Sequence, residues 1–155
     1  ELFHAFGADI LAQSRSRHEN AANYIEQVSQ EELLRRSDIV VLHCPLNDST
    51  RGMINAEKLA MMKPTALLVN VARGPVVVEK DLVVALENGV IAGAAIDVFD
   101  KEPPLDTASP ILHAPNCLVT PHVAFATQQS MSLRAEIVFD NLAKWMEGHQ
   151  INTIL

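Results

Sequence analysis

Four polar side chains in this 155-residue chain stand where chemistry is most easily done. Arg73 follows the apolar run 66–71 and precedes Gly74. A guanidinium at such a turn offers a planar fork that clamps a carboxylate through two parallel hydrogen bonds. Taken alone, it would read as a solvated surface arginine. Asp97 ends the run Gly93-Ala94-Ala95-Ile96, and a carboxylate in an otherwise apolar strand needs a hydrogen-bonding partner, either a ligand or the protein itself. Glu102, followed by Pro103-Pro104, reads in isolation as a solvated acid, and His122 lies between Pro121 and Val123-Ala124. A histidine beside a carboxylate can be held in one tautomer, raised in pKa and used to move protons near neutral pH. The other five histidines, His4, His18, His43, His113 and His149, are assigned no chemical role. Two cysteines, Cys44 and Cys117, are too few for a disulfide framework or a four-ligand metal site, and no metal is expected.

These side chains need elements to hold them. Ile39-Val40-Val41-Leu42, residues 66–71, 94–98 and 117–120 are short apolar runs with the character of buried strands. Strands apolar on both faces belong to a parallel sheet covered by helices on each side. Helical stretches alternate with them. Ser29-Gln30-Glu31-Glu32 fits a capping box opening a helix with Leu33 and Leu34 on its buried side. Asn55 caps a second, which Lys63-Pro64 ends. Residues 79–87 form a third, leaving through Asn88-Gly89. A long helix over 127–147 places Met131, Ala135, Val138, Leu142 and Trp145 on one stripe. Strand and helix in alternation with short links predict an α/β, doubly wound domain with a parallel sheet.

Ligands of such sheets bind beyond the carboxyl ends of the strands. The residues at those exits are His43-Cys44-Pro45, then Asn70-Val71-Ala72-Arg73-Gly74, then Asp97, then Thr120-Pro121-His122. A guanidinium, a carboxylate and an imidazole thus converge on one edge.

Composition narrows the setting. With 12 Lys+Arg against 19 Asp+Glu, the formal charge is −7, and the pI is about 5.3. That balance, with no long basic run, excludes nucleic acid and anionic membranes as partners. No apolar run approaches the roughly 18 residues that cross a bilayer, and the first residues lack the pattern of a signal peptide. The reduced, cytoplasmic compartment is the expected location. Glu1 is not a methionine, which hints at a segment upstream.

Four runs in this order resemble the D-isomer-specific 2-hydroxyacid dehydrogenases: residues 37–46 (Ser-Asp-Ile-Val-Val-Leu-His-Cys-Pro-Leu), Val69-Asn70-Val71-Ala72-Arg73-Gly74, residues 92–99 with Glu102-Pro103, and Thr120-Pro121-His122. That family includes phosphoglycerate dehydrogenase and the glyoxylate/hydroxypyruvate reductases, and the resemblance spans nearly the whole chain. It implies a Rossmann-type fold, an NAD(P) cofactor, a small 2-oxoacid or 2-hydroxyacid substrate and a homodimer. By the same likeness Arg73, Glu102 and His122 match the catalytic arginine, glutamate and histidine. Cys44, Pro45, Val71, Ala72, Arg73, Asp97 and His122 match cofactor-contact positions. Glutamate at 102 argues against the formate dehydrogenase branch, which by resemblance carries glutamine there. Phe125, soon after the histidine, is more similar to the glycerate/hydroxypyruvate reductases than to phosphoglycerate dehydrogenases, which have Gly-Gly-Ser-Thr at that place.

The resemblance also marks an absence. The glycine-rich phosphate loop and its strand are expected immediately before Glu1, so the chain reads as an incomplete NAD(P)-binding domain over 1–155, lacking the first strand and that loop as well as the substrate domain. As such it is expected to be part of a larger enzyme, and inactive or marginally stable alone. A further strand over 8–12 runs into Gln13-Ser14-Arg15-Ser16-Arg17. NAD enzymes of this fold usually place an acid at that strand end to grip the ribose 2′-hydroxyl. Ser14 stands there instead, with Arg15 and Arg17 close behind. Loss of the acid removes repulsion of a 2′-phosphate, and the arginines can pair with it, which favours NADP over NAD. The bland alternative is a solvated basic turn. Rival readings of the whole are a dinucleotide-sensing binding protein without catalysis and an inactive truncated fragment.

Overall fold

Residues 1–16, 19–101 and 106–153 are described by the computed structural model. Along them run α1 (Leu2–Ala5), β1 (Ile10–Ala12), β2 (Ile25–Gln27), α2 (Gln30–Arg36), β3 (Ile39–Leu42), α3 (Ala56–Leu59), β4 (Leu67–Asn70), α4 (Glu79–Glu87), β5 (Gly93–Ile96), β6 (Cys117–Val119) and α5 (Gln128–Met146). Strands β3, β4, β5 and β6 form one parallel sheet in chain order, and β1 pairs with β2 in a separate parallel ribbon. The α/β architecture is therefore the expected one. Strand β2 is an addition: Ile25-Glu26-Gln27 is too short and too polar for its sequence to announce it. β1 begins at Ile10 rather than at residue 8.

The helix ends explain the links. Ser29 caps α2, its Oγ accepting from Glu32 N at 3.2 Å. The Glu32 carboxylate turns to Arg36 at 2.8 Å, one helical turn on. Asn55 caps α3, and α3 is a single turn that ends at Leu59, earlier than Pro64 requires. The winding continues through Met61 N to Lys58 O and Met62 N to Leu59 O, three-residue bonds that bury Met62. Helix α4 ends at Glu87 and exits through Gly89, whose φ is +64°, while Val90 N donates to Ala85 O. This is the left-handed exit that Asn88-Gly89 implies.

The helices bury Leu34, Leu59, Leu82 and Leu86 against Val40, Leu42, Leu68 and Ile96. Leu59 and Leu68 are fully inaccessible, and burying each such side chain is worth about 1.5–3 kcal/mol. The register aligns Leu42, Asn70, Ile96 and Val119 in one row, so these residues share the helix-covered face. The opposite face of the sheet is the less covered one in this chain. Ile39 is 52% exposed, Leu67 42% and Leu118 66%, and a hollow of about 520 Å³ lies on that opposite face, lined by Leu67, Val69, Ala95 and Leu118 among others. Side chains alternate across a strand, and composition does not reveal which half of an apolar run a helix will cover.

Residues Glu1–Pro121 form one compact unit, and His122 begins a second. In the second unit a complete capping box opens α5: Ser130 N donates to Thr127 Oγ1 at 3.1 Å and Thr127 N to Ser130 Oγ at 3.0 Å. No residue of α5 is buried. The stripe residues Met131, Val138, Leu142 and Trp145 are exposed, as are Leu133, Ile137 and Phe139.

Candidate functional site

Parallel strands in register release their chains side by side, about 4.8 Å apart. The row Leu42, Asn70, Ile96, Val119 is the last of its sheet. His43, Val71, Asp97 and Thr120 are thus consecutive exits along one edge, as the sequence implies. Asp97 N donates to Asn70 O and Thr120 N to Ile96 O, both at 3.0 Å, so the ladder continues into the exits.

The turn after β4 is built on buried groups. Asn70 is 1% exposed; its side-chain Oδ1 accepts from Ala72 N and its Nδ2 donates to Arg73 O, both at 3.1 Å. Val71 is half-buried, and Ala72 and Gly74 are buried. A Cβ on Gly74 would stand 2.0 Å from the carbonyl carbon of Phe99, so only glycine permits this approach to the chain leaving β5. Between these buried neighbours Arg73 is exposed, with Nη1 donating to Ala72 O at 2.6 Å.

Asp97 is 3% exposed, and Thr120 Oγ1 donates to its Oδ1 at 2.5 Å. The partner that a buried carboxylate demands is thus supplied by the next exit. Cys44 is half-buried and packs against the core. Pro45 is exposed, its carbonyl accepting from Thr50 Oγ1 at 2.7 Å. Ser14 and Arg15 are exposed beyond β1, in the other sheet, and Ser14 Oγ donates to Ser16 O at 2.6 Å. Arg17 and Glu102 lie outside the described residues.

In the second unit His122 takes the left-handed conformation, φ +54°, a backbone state that costs a non-glycine residue about 1–3 kcal/mol. Its ring meets Phe125 edge-on, centroids 5.9 Å apart, and the Arg134 guanidinium lies 5.5 Å from the Phe125 centroid.

Two residues near this edge had no assigned part in the sequence reading: Asn70 and Thr120, each polar and placed at the end of an apolar run. Glu79, at the start of α4, is a third polar group of interest. Burial, and then the Asp100 carboxylate, push its carboxyl above the ordinary value, although Ser109 Oγ donates to it at 3.3 Å. A carboxyl whose pKa is raised by folding stabilises the fold below its unfolded value, and that contribution is lost as pH rises through the folded value. Glu79→Gln is therefore expected to raise the thermal midpoint slightly at neutral pH, the effect being small because the group is only half-buried. The difference from wild type closes below about pH 4, where both forms are neutral. Melts across pH check this. Burial, and then Glu79, likewise push the Cys117 thiol up, which makes it a poor nucleophile. Among the described residues there is no cluster of three metal-ligating side chains, and no helix is long and apolar enough to cross a membrane.

Residues 1–124 match the sequence model of the D-isomer specific 2-hydroxyacid dehydrogenase NAD binding domain. The chain belongs to the D-isomer specific 2-hydroxyacid dehydrogenase family. Within that family it is 36% identical over 155 residues to a hydroxypyruvate reductase of Blautia hydrogenotrophica, covering 99% of this chain and 48% of that one. It is 43% identical over 145 residues to a glyoxylate reductase of Pyrococcus furiosus, covering 92% and 43%. Among solved structures, the NAD-complexed D-isomer specific 2-hydroxyacid dehydrogenase of Lactobacillus delbrueckii ssp. bulgaricus superimposes with a TM-score of 0.86 at 30% identity, covering 99% of this chain and 50% of that one. The chain spans about half the length of the curated dehydrogenase-family relatives it matches.

Proposed function

We propose that this chain is the NAD(P)-binding portion of a larger oxidoreductase that transfers hydride between a nicotinamide dinucleotide and a small D-2-hydroxyacid or 2-oxoacid. The observation that carries the proposal is the common sheet edge at which β3, β4 and β5 release Cys44, Arg73 and Asp97. The donor set there suits a dinucleotide. A buried carboxylate anchored by Thr120 can accept from a carboxamide N–H, and Cys44, Pro45, Val71 and Ala72 offer an apolar wall. When bound, the dinucleotide supplies or accepts the hydride.

The protein's own residues do the rest. Arg73 binds the substrate carboxylate and polarises the adjacent carbonyl. His122, paired with Glu102, gives a proton to the carbonyl oxygen during reduction and takes it back during oxidation. Asp97 fixes which face of the nicotinamide meets the substrate. The enzyme is cytoplasmic and works as a homodimer. Nicotinamide absorbance, followed with glyoxylate, hydroxypyruvate, phosphohydroxypyruvate and bulkier 2-oxoacids on the full-length protein, tests the activity; no turnover with any of them refutes it.

The cofactor is NADP rather than NAD, because Ser14 and Arg15 leave no carboxylate against a 2′-phosphate. Ser14→Asp is expected to raise the KM for NADPH by about tenfold or more and to leave that for NADH within about threefold, since a like charge is placed against the phosphate alone. Michaelis constants for both cofactors decide this. A wild-type protein that prefers NADH overturns it.

A further inference from the structure

We propose that Asn70 is a positioning residue for the substrate-binding arginine: its buried amide holds the 71–72 and 73–74 peptide groups that flank the Ala72–Arg73 bond and thereby aims the Arg73 side chain. The inference rests on the reading of Arg73 as the carboxylate clamp. Asn70 and Asp97 are the buried polar side chains of the described core. Asn70 sits in the row of Leu42 and Ile96 on the helix-covered face, where an unbonded amide is costly. Both of its side-chain bonds go to the main chain of the turn, Oδ1 from Ala72 N and Nδ2 to Arg73 O, and neither goes to a helix or strand. They grip the backbone on both sides of the Ala72–Arg73 bond.

Two further contacts make the grip specific. The main-chain carbonyl of Asn70 accepts from Asp97 N, so one residue registers both the arginine turn and the buried carboxylate. Gly74 closes the turn from the other side against the Phe99 backbone. Arg73 itself is extended, φ −149° and ψ 142°, so its outward direction depends on these anchors. Misplacing a binding group by a fraction of its hydrogen-bond length is enough to lose rate, because a bidentate clamp tolerates little angular error.

The test is a double-mutant cycle in the full-length protein, using Asn70→Asp with and without Arg73→Lys. Asn70→Asp keeps the shape and the acceptor for Ala72 N and, when ionised, removes the donor to Arg73 O. Where that variant does not fold, Asn70→Ser replaces it. With Arg73 present, kcat/KM for the 2-oxoacid is expected to fall by about tenfold or more. In the Arg73→Lys background the same change is expected to cost no more than about twofold, because a flexible ammonium acts as a point charge and has already lost the angular precision that Asn70 would supply. The thermal midpoint is the control: the Asn70 substitution lowers it equally in both backgrounds. Equal losses of kcat/KM in the two backgrounds, or full activity of the Asn70 variants, overturn the proposal. Full activity of Arg73→Lys alone instead refutes the clamp itself, and the positioning role with it.

Discussion

In the full-length protein, Arg73→Ala is expected to lower kcat/KM for the 2-oxoacid by about 10³-fold, as the proposed carboxylate clamp requires. The magnitude follows from the contact removed. Two parallel hydrogen bonds between a guanidinium and a carboxylate are both charge-assisted, worth about 1.5–3 kcal/mol each, and a total near 4 kcal/mol is a factor of about 10³. On the proposed role the loss is expected on both KM and kcat, since such a clamp would hold the substrate and also polarise the carbonyl that receives hydride. Stability is expected to change little: Arg73 is exposed, and among the described residues its side chain donates to the neighbouring Ala72 carbonyl. Arg73→Lys recovers part of the loss, because an ammonium retains the charge without the fork. The surroundings argue for this role over a plain surface arginine. Asn70, Ala72 and Gly74 are all buried, so a solvent-facing charge stands on a base with almost no freedom. A variant retaining more than about a tenth of wild-type kcat/KM would remove Arg73 from the site.

The edge on which Arg73 stands was legible in the sequence because two rules combine there. Apolar runs mark the strands, and parallel strands place their exits together. β3 was legible at its true bounds, whereas 66–71 was trimmed to Leu67–Asn70 and 94–98 shifted to Gly93–Ile96; Val71 and Val98 belong to the turns although their side chains look like strand. Coverage of the sheet was not legible. Ile39 and Val41 have the same chemistry as Val40 and Leu42, yet lie on the open face. The partners within the site were illegible for a related reason. That Thr120 reaches Asp97, 23 residues away, and that Asn70 folds onto the peptide of Arg73 depend on register and rotamer, which no local pattern contains. Capping was legible only in part: the Ser29 acceptor is present, but Glu32 answers Arg36.

Replacing His122 should have a comparable effect through a different step. Loss of a positioned general acid costs about 10²–10⁴-fold in kcat. His122→Asn is the sharper variant, since the left-handed backbone at this position, φ +54°, is better tolerated by asparagine than by alanine. Its expected profile is a large fall in kcat with little change in KM for the 2-oxoacid. Binding of the dinucleotide, read from its fluorescence, is expected to fall far less than kcat, because His122 is one of several matched contact positions whereas the proton it would move in the transition state has no second source. This separates the enzyme from a dinucleotide sensor built on the same fold. A sensor needs the cofactor bound but has no proton to move, so its partner binding would survive His122→Asn and no turnover would exist to be lost. The Phe125 contact offers an internal control. Phe125 packs edge-on against the imidazole and lies beneath Arg134, so a role limited to packing predicts that His122→Asn loosens this unit and lowers the thermal midpoint while leaving kcat near wild type. Retention of more than about a tenth of kcat in a folded His122→Asn protein would assign the proton to another group and end the acid–base proposal.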